Sequence, residues 1–145
     1  MNKVIILLTL FALTSCSSQL DKVKSELIGC WELTEIDGVE EPGFINYVKY
    51  SESKSYIYWG VETEQGLLVD SSEIRYSLKL DKSENVLLVA CTEADSTVSK
   101  VSITENSKMK FTVLKSKKIW SYKRITEEKL KKFISSRIDR SQGYN

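Results

Sequence analysis

The sequence predicts an all-β protein, an antiparallel up-and-down barrel of eight strands followed by a C-terminal α-helix. Three observations carry that prediction. From Cys30 onward the chain passes through eight or nine short runs rich in Val, Ile, Leu, Thr, Tyr, Phe and Trp, spaced as in a sandwich or barrel. Several runs alternate with the two-residue period of a wall that is wet on one face. The cleanest are Ile74, Tyr76, Leu78 and Leu80 against Arg75, Ser77 and Lys79, and Met109, Phe111 and Val113 against Lys110, Thr112 and Lys115. The links between runs are only a few residues long, which favours pairing of neighbours in order.

The N-terminus stands outside this fold. After Lys3, Val4 to Leu13 is an uncharged apolar run, followed by small residues and Cys16. This is the layout of a secretory signal peptide, too short to span a bilayer as a stable helix. Leu13-Thr14-Ser15-Cys16 resembles the lipobox of bacterial lipoproteins, in which the Cys is lipidated and becomes the first residue of the mature chain. The resemblance implies that residues 1–15 are a removed leader and that Cys16 is the lipidation site. Its acyl chains, palmitate among them, suffice for stable membrane anchoring. The expected location is the cell envelope, and Ser17 after the Cys favours the outer membrane over the inner. Residues 16–28 are then an anchor and short linker with a helical turn, 29–125 the barrel and 126–141 the helix.

The expected strands are Cys30 to Asp37, Tyr47 to Ser51, Lys54 to Gly60, Gly66 to Val69, Glu73 to Leu80, Asn85 to Cys91, Thr97 to Thr104, Lys108 to Lys115 and Ile119 to Ile125. Val86 to Ala90 alternates poorly, as a strand covered on both faces does. Asp37-Gly38, Ser83-Glu84-Asn85 and Glu105-Asn106-Ser107 supply turn chemistry between runs. At the C-terminus the period changes. Thr126 is placed to cap a helix, Glu127 and Glu128 suit its first turn, and Leu130, Phe133, Ile134 and Ile138 fall on one face. Lys129, Lys131, Lys132, Arg137 and Arg140 make the other face basic. That helix either packs on the barrel or rests on anionic lipid.

Composition excludes several functions. Removal of the leader takes Lys3 with it and leaves 20 Lys+Arg against 20 Asp+Glu, so nothing steers the mature chain to nucleic acid. The chain has no His, which removes the commonest general base and zinc ligand. Cys30 and Cys91 form no CxxC; in an oxidising compartment they could form one disulfide, or they pack as two free thiols. Glu35, Asp37, Glu73 and Asp95 show no spacing that marks an acid and base pair, and no P-loop, nucleophile elbow or metal motif is present. The expectation is a protein that is not an enzyme, with no catalytic residues, no metal and no cofactor.

Leu27-Ile28-Gly29-Cys30-Trp31-Glu32-Leu33 resembles the Gly-x-Trp opening of the lipocalin family and the wider calycin superfamily. The resemblance implies a lipocalin-like barrel. A helical turn over Leu20 to Leu27 would close its bottom, and Arg124 of the last strand would lie across the Trp31 indole, with Gly29 permitting close approach. The cadence of Tyr47-Val48-Lys49-Tyr50-Ser51, Tyr56-Ile57-Tyr58-Trp59, Val101-Ser102-Ile103 and Lys108-Met109-Lys110-Phe111 is similar to the lipocalin-like lipoproteins of Bacteroidota. Glu35 departs from the pattern, since simple alternation in the first strand would point it inward.

An eight-stranded barrel encloses a space for side chains or for one small ligand. The expected inner face includes Trp31, Leu33, Tyr58, Tyr76, Leu78, Met109, Phe111, Trp120 and Tyr122. Of these, Tyr58, Tyr76, Phe111, Trp120 and Tyr122 are the candidate ligand-binding residues, suited to a fatty acid, lipid fragment or other small hydrophobic ligand. Two alternatives stay open. In one the aromatics line a ligand site; in the other they only fill the barrel, and the protein is an interaction module (inhibitor, immunity or accessory) that meets a protein partner through the acidic tips Glu62-Thr63-Glu64-Gln65 and Thr92-Glu93-Ala94-Asp95.

Overall fold

The computed structural model describes residues 19–40, 42–93 and 95–136. The leader, Cys16 and the end of the expected C-terminal helix, with Arg137, Ile138 and Arg140, lie outside the described residues. Residues 19–27 are helical (α1) and lead directly into β1 (Gly29–Ile36). The meander continues through β2 (Phe44–Tyr50), β3 (Lys54–Thr63), β4 (Gly66–Leu80), β5 (Val86–Cys91), β6 (Ser96–Ile103), β7 (Lys108–Val113) and β8 (Ile119–Ile125). Each strand pairs antiparallel with the next, and β8 pairs with β1 to close the barrel. Helix α2 (Glu127–Ser135) follows.

The expected short strands Gly66 to Val69 and Glu73 to Leu80 are one continuous strand of 15 residues. Asp70-Ser71-Ser72 has turn chemistry locally, but its backbone is held extended by pairing with Trp59, Tyr58 and Ile57 of β3. β2 likewise starts three residues before the expected Tyr47, at Phe44. Asp37-Gly38 makes a two-residue turn with φ of 55° and 82°, the left-handed pair that a tight hairpin needs. Asp37 also fastens β8, since its Oδ1 accepts from the Ile119 N–H at 2.7 Å.

Cross-strand partners share a face, so the register assigns every inward side chain. Trp31 pairs with Val48 and Arg124, and Leu33 with Tyr122, all facing in. Between Leu33 and Glu35 the register shifts by one residue. This bulge reverses the phase of β1, so Glu35 pairs with outward Ser121 while Ile36 pairs with inward Trp120. The departure of Glu35 from simple alternation is thereby resolved.

α2 lies on the outside of the barrel. Thr126 caps it, its Oγ1 accepting from the Lys129 N–H at 3.2 Å. Leu130 and Phe133 are buried against Cys30 and Tyr47, with Tyr58, Leu67, Val69 and Ile125 packed around them. Glu32 receives Lys129 Nζ at 2.8 Å and Lys123 Nζ at 3.0 Å. Burial alone would raise the Glu32 carboxyl, but the hydrogen bonds from Lys129 and Lys123 outweigh it and hold it below the usual range. Lys49 pairs with Glu127 at 2.5 Å in the first turn of α2. Cys30 and Cys91 are free thiols on β1 and β5, opposite walls of an eight-stranded barrel.

Val86, Leu87 and Leu88 are buried as expected for a strand covered on both faces. Leu87 points outward, however, and no second layer covers it among the described residues. It lies in a groove that Lys79, Val98, Leu114 and Lys115 also line.

Candidate functional site

The end of the barrel where β1 begins is closed, and the closure is built on carbonyl groups. A helix leaves its last carbonyls without partners, and Glu26 and Leu27 at the end of α1, with Ile28 just after it, present three such groups in succession. The Trp31 indole Nε1 donates to the Leu27 carbonyl at 2.8 Å. Arg124 Nη1 donates to the Ile28 carbonyl at 3.0 Å, and Nη2 donates to the Glu26 carbonyl. The guanidinium lies 4.4 Å from the Trp31 ring centroid, so one cation serves the helix end and the indole face together. Gly29 has φ of 136°, and a Cβ there would come within 2.6 Å of Arg124 Nη1. Only glycine admits both the backbone conformation and the guanidinium.

Above this plug the interior is packed. Leu27, Trp31, Val48, Tyr50, Tyr76, Leu88, Val101, Met109, Phe111 and Tyr122 form one buried cluster. Its rings meet edge to face, Tyr50 with Tyr76 at 5.3 Å and Phe111 with Tyr122 at 5.7 Å between centroids. Burial pushes the Tyr50 and Tyr122 phenols well above the usual range, so both stay neutral donors. Tyr76 Oη donates to the Ser51 carbonyl.

Toward the opposite end the inner wall opens. Exposure of inward residues rises from 0% at Trp31 and Met109, through half-buried Leu33, Ile57, Trp59, Ile74 and Trp120, to 39% at Phe44 and 48% at Val61. Strand pairing loosens in the same direction. The β1–β2 ladder ends at Glu32 and Tyr47, and the β4–β5 ladder at Arg75 and Cys91, so the β3–β4 hairpin projects past its neighbours. One row across this wall is Asn46, Trp59 and Asp70 on β2, β3 and β4. Asn46 is 5% exposed, and its Oδ1 is buried without a hydrogen-bond partner among the described residues. The acidic tips with Glu62 to Gln65 and with Thr92, Glu93 and Asp95 stand at this end, as does the β7–β8 loop with Lys115, Lys117 and Lys118. Among the described residues no cluster of His, Cys, Asp and Glu could hold a metal ion.

The five expected ligand residues divide three ways. Tyr76, Phe111 and Tyr122 belong to the packed floor, and Trp120 reaches the open half. Tyr58 does not face the interior at all; it packs outside, under α2. The run Tyr56-Ile57-Tyr58-Trp59 is aromatic at both parities because both faces of β3 are covered, one by the barrel core and one by the helix, so alternation alone gives no phase. Trp59, Asn46 and Asp70, like Phe44 and Val61 nearer the mouth, are inward residues that sequence reasoning missed. The apolar stripe of α2 was the available clue, since it requires an apolar landing site on the outer wall.

No protein-family model matches the sequence, and no curated protein matches it. Among solved structures the chain is similar to a variant of the fluorescent protein UnaG (12% identity, covering 70% of this chain and 98% of that one, TM-score 0.39). It is also similar to a Schistosoma mansoni fatty acid binding protein in complex with arachidonic acid (15% identity, 71% and 98%, TM-score 0.38). A third is lobster apocrustacyanin A1 (8% identity, 89% and 81%, TM-score 0.41).

Proposed function

We propose that the protein is a lipocalin-like envelope lipoprotein, of the kind found in Bacteroidota, anchored through Cys16 and binding one small, mainly apolar molecule in the open half of its barrel. The observation that carries the binding reading is the gradient along the inner wall, from a solid floor at Trp31 and Met109 to accessible Trp59, Trp120, Phe44 and Val61 at the other end. Concave, largely aromatic linings with a few polar groups are what small-molecule sites use. In this reading the protein binds and does not catalyse. The open half offers aromatic and aliphatic groups, an amide, hydroxyls and one carboxylate, with no nucleophile and base in contact among the described residues. The acidic tips with Glu62 to Gln65 and with Thr92, Glu93 and Asp95 stand at the same mouth, so a protein partner gripping them would cover the ligand's way in.

Titration of the protein with the neutral dye N-phenyl-1-naphthylamine is expected to raise dye emission saturably and quench tryptophan emission. Val113→Trp, which enlarges an inward residue paired with Ser99, should weaken dye binding about tenfold without loss of cooperative melting. An absence of saturable binding overturns the reading. For the anchor, Cys16→Ala is expected to abolish incorporation of a palmitate analogue; unchanged labelling overturns that part.

A further inference from the structure

The geometry points to a ligand whose polar end is a hydrogen-bond donor, neutral or cationic, seated against Asn46 and Asp70 beside Trp59, and not a carboxylate. This inference rests on the binding reading above and names the chemical class of its ligand. Asn46 is the starting observation. A buried acceptor without a donor is destabilising, so an amide at this position is disfavoured relative to an apolar residue unless something donates to it. Its side chain faces the interior, and the residues beside it in the row are the half-buried Trp59 and then Asp70.

Charge in the open half has one sign. Asp70 occupies an inward position, and one carboxylate oxygen accepts from the Ser71 N–H at 2.7 Å. No cation pairs with it among the described residues. Among the described residues the register places no Lys or Arg facing inward along the open half. Arg124, the one inward cation among the described residues, is spent at the closed end on the carbonyls where α1 leads into β1 and on the Trp31 ring. A carboxylate ligand would therefore meet an acceptor and a like charge on the β2–β4 wall, whereas an ammonium, amide N–H or hydroxyl finds a partner in both. Trp59 lies between them in the row, and its indole face suits either an apolar body or a cation. Lys115, Lys117 and Lys118 stand at the rim on the β7–β8 loop, across the mouth from this row.

Three ten-carbon probes that differ only at the head separate these cases: decylamine, decanol and decanoate, each competing against bound N-phenyl-1-naphthylamine. Decylamine and decanol should displace the dye at concentrations about tenfold lower than decanoate. Asn46→Leu should remove most of the decanol advantage while retaining dye binding, and should raise the melting temperature by relieving the buried acceptor. Asp70→Asn should bring decylamine down to the level of decanol and leave decanol unchanged. Equal displacement by all three heads, or tighter binding of decanoate through the rim lysines, overturns this inference while leaving the barrel as a binding site. Failure of the dye itself to bind overturns both.

Discussion

Trp31→Ala is expected to lower the unfolding free energy by about 3–5 kcal/mol, the usual range for removing a fully buried large aromatic. The indole is 0% exposed and does two things at once: it fills the barrel floor, and it takes the Leu27 carbonyl at the end of α1. Arg124→Ala should be destabilising by about 1–3 kcal/mol, because it strips the Glu26 and Ile28 carbonyls of their donor and removes the cation from the ring. The two losses overlap. Without the indole the guanidinium has no face to cover, and without the guanidinium the helix end that Trp31 holds is already loosened. In urea unfolding the double variant should therefore fall short of the sum by about 1 kcal/mol. Additivity would mean that the plug is two independent contacts and that closure does not depend on their joint geometry. Trp31→Phe separates filling from hydrogen bonding, keeping a ring beneath Arg124 while leaving the Leu27 carbonyl unpaired.

The parts of this molecule that were legible in the sequence are those where one physical demand acts on a residue at a time. β7 and the second half of β4 alternate cleanly because one face meets the core and the other meets water. β3 carries two demands, an interior to fill and a helix to receive, and alternation alone therefore puts Tyr58 on the wrong side. Asn46 is hidden because the sequence pattern starts β2 at Tyr47; a polar residue in the run Phe44-Ile45-Asn46 reads as a loop, whereas the β3 ladder extends over it. The bulge that turns Glu35 outward is a one-residue event with no composition signature. Gly29, Trp31 and Arg124 are visible through a family resemblance, yet the job they share, satisfying the three carbonyls where α1 leads into β1, requires knowing that α1 ends there.

Removal of α2 from the barrel is the second large effect, and it can be driven from either side of the contact. Phe133→Ala is expected to be destabilising by about 3 kcal/mol, since Phe133 is 8% exposed and its ring lies 4.6 Å from that of Tyr47. The floor beneath it is Gly60, whose Cα faces the helix; a Cβ there would lie 2.8 Å from Phe133 Cζ and 3.1 Å from Leu67 Cδ1. Gly60→Ala alone should then be destabilising by about 1–2 kcal/mol through overpacking. Placed on top of Phe133→Ala, the same substitution should become stabilising by about 0.5–1 kcal/mol, because the added methyl occupies vacated space and a strand alanine loses less backbone entropy than glycine. That reversal of sign is the diagnostic. Cys30 reports the same event locally: it is 2% exposed beneath α2, and burial pushes its thiol above the ordinary value. In a Cys16→Ala background, where Cys91 is exposed and reacts at once, Cys30 should stay protected in the parent and react far faster in Phe133→Ala. If Gly60→Ala is destabilising equally in both backgrounds and Cys30 remains protected, the helix is held by the Lys49–Glu127 and Lys129–Glu32 pairs and not by its apolar face.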